Sequence, residues 1–136
     1  MKARSMFALA AVGLTTCGLS TNPSQQVEGD VRVEVGEEAE IPGTVLRISF
    51  IQVNADSRCP SGAVCVWEGD AEIAIGLTAG SGPMQLVELH TTIDPRFVDF
   101  SGVRVTLADL VPYPREGVPT SADAYVAGFD IDPLAQ

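Results

Sequence analysis

The chain is poor in the residues from which helical cores and many active sites are built. Only 6% of its 136 residues are aromatic, and it has one tryptophan, Trp67, and one histidine, His90. No window of the folded part repeats apolar residues at three- and four-residue spacing, so an amphipathic helix is not the organising element. A single histidine also leaves few ways to assemble a histidine-based catalytic or zinc centre.

Basic residues are scarce as well. Eight lysines and arginines face 18 acidic residues, and the formal net charge is −10. Removing Lys2 and Arg4 with an N-terminal signal leaves six basic residues against 18, so the net charge becomes −12. A domain this acidic repels phosphate backbones, so we expect no nucleic-acid partner. Its acidic runs lack the loop spacing of a calcium-binding EF-hand.

The N-terminus has the pattern of an export signal. A basic start precedes an apolar run over residues 6–14, which has the length of a signal-peptide core and is too short to span a bilayer. The run leads to Cys17 in a segment that resembles a bacterial lipobox, although Thr16 departs from the smaller residue usual there. We therefore predict a signal peptide over residues 1–16 and a lipidated Cys17.

Lipidation would attach the protein to a membrane of the cell envelope, at the outer membrane or facing the periplasm. Ordinary cleavage and free secretion is the alternative. Residues 17–29 are rich in Ser, Thr, Asn, Gln and Pro, which predicts a flexible tether after the lipidated cysteine. Residues 30–136 are enough for one domain with one core.

Apolar and polar residues alternate through most of this domain, as in Val31 to Val35 and Val103 to Leu107. Strict alternation is typical of half-buried strands, and the pattern recurs often enough for seven or eight of them. The sequence predicts an all-β, antiparallel, Ig-like β-sandwich, with a small barrel as the alternative. Between Phe50 and Val53 the apolar phase switches, which indicates a bulge or a strand buried on both faces.

Two further segments have distinct signals. The proline-rich run Pro112–Pro119 cannot lie inside a central strand and predicts a long loop between the last two strands. Asp94–Phe97 and Ala108–Val111 are the places where one short helical turn fits.

The three cysteines have two different predicted roles. Lipidation of Cys17 leaves Cys59 and Cys65, and an exporting pathway delivers them to an oxidising compartment where they form a disulfide. A metal site is the competing interpretation, but His90 is the only histidine that could join two thiolates. We predict that Val64 to Glu68 is a strand, which puts Cys65 and Trp67 on one face, so that the indole covers the sulfurs.

The residues around this pair form a recognisable motif. Asp56, Ser57, Arg58, Cys59 and Pro60, followed by Cys65, Trp67 and Gly69, read as D-S-R-C-P-x4-C-x-W-x-G. The motif resembles a signature of small bacterial secreted proteins and lipoproteins. That resemblance implies export and a β fold, and it transfers no activity and no catalytic residue.

Two interpretations of the motif compete. In the first, Asp56, Arg58, Trp67 and Glu68 brace the domain, with Arg58 paired to Asp56 or Glu68 and the indole in the core. In the second, the same residues form a patch that a disulfide-braced loop presents to another envelope protein or to cell-wall material. We favour bracing for the residues, and a non-catalytic binding or structural role for the protein.

A metal- or carboxylate-dependent periplasmic enzyme is the alternative function. It would use paired carboxylates such as Glu68 and Asp70, which sit in a turn where such groups usually face water. His90 falls on the more polar side of its strand, where a solvated surface histidine is the expectation. The sequence thus predicts no catalytic residue, no metal ligand and no cofactor.

Overall fold

In a computed structural model that describes residues 29–135, the chain forms two four-stranded antiparallel sheets with no helix. The two sheets do not close into a barrel, so the predicted β-sandwich is confirmed. No helix in the described part of the chain has the length and apolar character needed to cross a membrane. Cys17, the signal peptide and most of the tether lie outside the described residues. The strands are β1 (Gly29–Glu34), β2 (Glu38–Glu40), β3 (Leu46–Asp56), β4 (Ala71–Ala79), β5 (Gln85–His90), β6 (Phe97–Phe100), β7 (Val103–Val111) and β8 (Val126–Pro133).

One core lies between the sheets, whose strand orders are β1-β8-β7-β6 and β2-β3-β4-β5. Alternate residues of each strand point into it, because side chains on a strand alternate between its two faces. Phe50 of one sheet and Phe129 of the other are its fully buried aromatic residues. The remaining fully buried large side chains are aliphatic: Ile41, Ile48, Ile73, Ile75, Leu77, Leu89, Leu107 and Val105.

The phase switch in β3 is a bulge, which confirms one of the two interpretations offered for it. Register with β4 shifts between Phe50 and Gln52, and again between Val53 and Ala55. Ile51 is consequently exposed while Phe50 stays in the core. A further register shift, between Leu107 and Asp109, lies in β7.

The predicted short helical turns are wrong. Ala108–Val111 belongs to β7, where pairing with β8 continues beyond the register shift and overrides the local composition. Asp94–Phe97 holds no helix, and Phe97 opens β6. The strands β2 and β6 were not anticipated, because three or four residues at a sheet edge are too few for alternation to be visible.

The strand register defines two ends of the sandwich. Gly29 lies beside Ile131, and Val103 beside Pro133, so the N-terminal segment joins the domain at that end. Val126 lies opposite Glu34 and Val111 at the other end. The segment between β7 and β8 leaves from this second end, and the predicted proline-rich loop is confirmed.

Candidate functional site

The disulfide closes the tip of the β3–β4 hairpin. Beyond the last residue pair of β3 and β4, Ser57 N donates to Asp70 O at 2.7 Å and Cys59 N donates to Glu68 O at 2.8 Å. The two arms of the hairpin therefore stay hydrogen-bonded as far as Cys59. Cys59 and Cys65 are then joined, as predicted, with their Cα atoms 6.0 Å apart. The enclosed segment turns at Pro60, whose carbonyl accepts a bond from Ala63 N.

The prediction of a strand over Val64–Glu68 is wrong. No strand pairs with residues 64–67, because the segment between β7 and β8 bonds to the loop at Ser61 and the disulfide folds the rest of the loop back on itself. Without a ladder partner, alternation in the sequence does not produce a strand.

Gly69 shows why the motif ends in glycine. It has a φ of +76°, and a Cβ there would overlap the Ser57 carbonyl oxygen and lie 2.7 Å from the Arg58 Cα. Both obstacles are backbone atoms that cannot rotate away. The backbone at residue 69 can therefore pack against the backbone of Ser57 and Arg58 only if residue 69 has no side chain.

Arg58 joins the hairpin tip to the other sheet. Its Nε and Nη2 donate to the two carboxylate oxygens of Asp56 at 2.8 and 2.7 Å, and Nη1 donates to the Leu110 carbonyl at 2.6 Å. A further bond from Nη2 reaches the Pro112 carbonyl at 3.1 Å. The Tyr113 ring lies over the guanidinium, with its centroid 4.9 Å away. Arg58 is only 6% exposed, so these contacts replace its hydration almost completely.

Asp56 is held as an anion by this arrangement. Burial raises the pKa of its carboxyl, but the hydrogen bonds and charge of Arg58 lower it more, and the Tyr125 hydroxyl donates to it at 3.0 Å. The net pKa of Asp56 is below its ordinary value. Burial and the neighbouring carboxylate raise the pKa of Tyr125. The predicted Asp56–Arg58 pair is thus present, whereas Glu68 is exposed and takes no part in it.

The outer part of the loop is apolar and exposed. Val64 and Val66 are each 103% exposed, and Trp67 is 55% exposed. The prediction that the indole fills the core over the disulfide is wrong, because the segment is not a strand and its side chains turn to solvent. We call Val64, Val66 and Trp67 the apolar tip.

A second polar cluster lies where β4 begins and β5 ends. His90 Nδ1 is 2.6 Å from Asp70 Oδ2, and the amide of Thr92 donates to the other Asp70 oxygen at 2.9 Å. Burial raises the pKa of Asp70, but the bonds from His90 and from backbone amides lower it more, so the net pKa falls. The His90 side chain is only 15% exposed. The expectations of a solvated His90 and of a water-facing Asp70 are therefore wrong.

No local pattern in the sequence indicates this second cluster, because its members are brought together by strand pairing. His90 lies opposite Glu72 in the β4–β5 register, and its Nε2 is 3.8 Å from the Glu72 carboxylate. Among the described residues, no hydroxyl or thiol group forms a hydrogen bond with His90. Within residues 29–135, no three His, Cys, Asp or Glu side chains are grouped so as to hold a metal ion.

Comparisons with protein-family models, curated proteins and solved structures found no match to this chain.

Proposed function

We propose that the protein is an exported, lipid-anchored envelope protein whose β-sandwich binds a partner through the apolar tip, without catalysing a reaction. The observation that carries the proposal is the exposure of two valines and a tryptophan within four residues of a loop that is otherwise tightly fixed. Water-exposed apolar clusters on a rigid support are characteristic of protein interaction sites.

Rigidity of the loop supports binding over a purely structural role. The disulfide and the buried Arg58 network stabilise the base of the loop even though the tip itself contributes nothing to the core. A loop that is ordered before binding loses less conformational entropy on complex formation. The apolar tip adds nothing to the hydrophobic core, yet its base is firmly fixed. A need to hold the tip in one conformation for binding explains why.

The position of the tip supports an anchored protein. Arg58 ties the loop to Leu110 and Pro112, at the end of β7 where Val111 lies. The N-terminal segment enters at the opposite end, at Gly29. A lipid on Cys17 would attach the domain by that far end through a flexible tether, which leaves the tip accessible to a partner in the envelope or cell wall.

The binding role can be tested by capture from the envelope of the native host. The full-length protein, carrying a photo-crosslinker beside the tip, is expected to capture a defined partner. The triple variant Val64→Ser/Val66→Ser/Trp67→Ser should lose it, because the apolar contact area is removed. Leu86→Ser is the matched control, since Leu86 is also exposed (72%) but lies in β5, away from the tip. Equal capture by the triple variant and the parent would refute the proposal.

The anchor has its own test. Metabolic labelling with palmitate in a bacterial host should mark the parent protein, and Cys17→Ala should remove the label. A label that persists in Cys17→Ala, or its absence from the parent, contradicts lipidation at this residue. Either result leaves the binding role of the tip to be decided by the capture experiment.

A further inference from the structure

A second feature at the tip end of the sandwich is a cleft of about 500 Å³ between the disulfide loop and the segment that connects β7 to β8. Its lining combines apolar residues, hydroxyl-bearing residues and one arginine. The residues that the argument uses are Ser61, Tyr113, Arg115, Val118, Pro119 and Thr120. We call this feature the Arg115 cleft.

Arg115 differs from most arginines of this protein in having no ion pair. The described residues contain six arginines, and four of them form ion pairs: Arg32, Arg47, Arg58 and Arg104. Arg115 forms none within residues 29–135, although acidic residues outnumber arginines almost threefold there. Its neighbour Glu116 turns its carboxylate towards Gly62, where an added Cβ would lie 3.6 Å from Oε2. A cation in so acidic a domain is thus left without a protein partner.

The walls of the cleft are fixed by backbone bonds. Ser61 N donates to the Pro114 carbonyl at 2.9 Å, and Glu116 N donates to the Ser61 carbonyl at 3.1 Å. Val118 N donates to the Arg115 carbonyl at 3.1 Å, which closes the turn around Gly117. The Cα of Arg115 is consequently held from both sides, and the guanidinium extends from a rigid base.

Tyr113 provides a preformed apolar surface. It borders the Arg115 cleft, and the buried Arg58 guanidinium lies over its ring, 4.9 Å from the centroid. The ring is thereby ordered while half of the residue remains exposed. Val118 and Pro119 extend the apolar surface, and Ser61 and Thr120 complete the lining.

From this arrangement we infer that the Arg115 cleft binds a small carboxylate that has an apolar or sugar-ring face. The guanidinium offers the planar pair of donors that a carboxylate accepts, and the Tyr113 ring offers a flat surface to the rest of the ligand. Polyanions are excluded by the net negative charge of the domain, whereas a single carboxylate is repelled far less. Two sources share this chemistry: the C-terminal carboxylate of a peptide and an acidic sugar.

The test uses four probes on the isotope-labelled full-length protein, followed by NMR titration. N-acetylphenylalanine and N-acetylphenylalaninamide represent the peptide source with and without its charge. N-acetylmuramic acid and N-acetylglucosamine do the same for the sugar source. We expect saturable shifts of the amides of Tyr113, Arg115 and Thr120 with at least one acidic probe, and binding at least about tenfold weaker for its neutral counterpart.

Arg115→Gln should weaken binding of the acidic probe by about tenfold or more, because the charged donors are lost. Arg96→Gln is the matched control. Arg96 is also without an ion pair in residues 29–135 but lies before β6, so the same change in net charge should leave binding unaltered. Unchanged amide shifts outside the cleft would show that both variants are folded.

The responding acidic probe identifies the source, and either one supports the inference. Equal binding of the charged and neutral members of both pairs would overturn it, as would the absence of saturable binding by all four probes. Equal weakening by Arg96→Gln and Arg115→Gln would also overturn it, because the effect would then belong to net charge alone. None of these outcomes depends on the apolar tip, so they neither support nor refute the proposed binding of a partner by the tip.

Discussion

The two halves of the D-S-R-C-P-x4-C-x-W-x-G motif have opposite environments. The first half, Asp56 to Cys59, is joined to the opposite sheet through Arg58, which is 6% exposed. The second half, Val64 to Trp67, projects into solvent. Polar residues are therefore inside and apolar residues outside, the reverse of the usual distribution. The buried half therefore contributes stability, whereas the exposed half is free to serve recognition.

The largest expected effect lies in the buried half. Arg58→Met should lower the free energy of unfolding by about 3–5 kcal/mol, because Asp56 would stay buried without its counter-charge. Urea denaturation measures the loss. Arg104→Met is the control, since Arg104 makes the same two-bond contact with Asp99 on an exposed face, where we expect little change. Similar losses in the two variants would show that burial is not what distinguishes Arg58.

The next largest effect is expected from the disulfide, which joins the two halves of the motif. Replacing both cysteines, Cys59→Ser/Cys65→Ser, should cost about 2–2.5 kcal/mol, since the bond closes a loop of about seven residues and restricts the unfolded chain. The measurement is the denaturation midpoint of the double variant beside that of the parent. An unchanged midpoint would rule out a stabilising role for the disulfide.

Acidification tests the buried carboxylates. Asp56 and Asp70 have pKa values below the ordinary range, so the unfolded state binds protons first and their stabilising contribution is complete only above about pH 4. Stability should therefore be lost as the pH falls below that value and through the folded-state pKa values. We expect a smaller loss than on deleting the disulfide, because a protonated carboxyl keeps some of its hydrogen bonds. Denaturation curves between pH 7 and about pH 3 measure this; stability that rises on acidification would contradict it.

The smallest expected effect lies in the exposed half. Trp67→Ser should change the free energy of unfolding by no more than about 0.5 kcal/mol, because the indole makes no core contact. The parent protein should show the fluorescence of a solvent-exposed tryptophan. Phe129→Ala is the comparison, and loss of its fully buried ring should cost about 3–5 kcal/mol. A blue-shifted emission from Trp67, or a large loss in Trp67→Ser, would break the contrast between the halves.

Much of the fold could be predicted because strands buried on one face leave a two-residue period in the sequence. The sandwich, the bulge near Phe50 and the loop Pro112–Pro119 all follow from that period and from backbone chemistry. The same rule failed at Val64–Glu68, where alternation occurs without a neighbouring strand. Alternation of apolar and polar residues shows that a segment is suited to a β-strand, but it does not show whether a neighbouring strand is available to pair with it.

The candidate site was less predictable. The Asp56–Arg58 pair is two residues apart, so its chemistry was visible in the motif. The bonds of Arg58 to Leu110 and of Tyr125 to Asp56 span 52 and 69 residues, and no local signal indicates them. The position of Asp70 beside His90 likewise depends on the β4–β5 register, which places distant residues side by side.

The sequence alone determined the β class and the pairing of Cys59 with Cys65, and it limited the partner of Arg58 to Asp56 or Glu68, because each depends on composition, period or short separation. Only the tertiary structure decided that Trp67 faces solvent, that His90 is held by Asp70 and that Arg115 borders a cleft. Burial and contact between distant residues depend on how the two sheets pack, and that arrangement is a property of the whole chain.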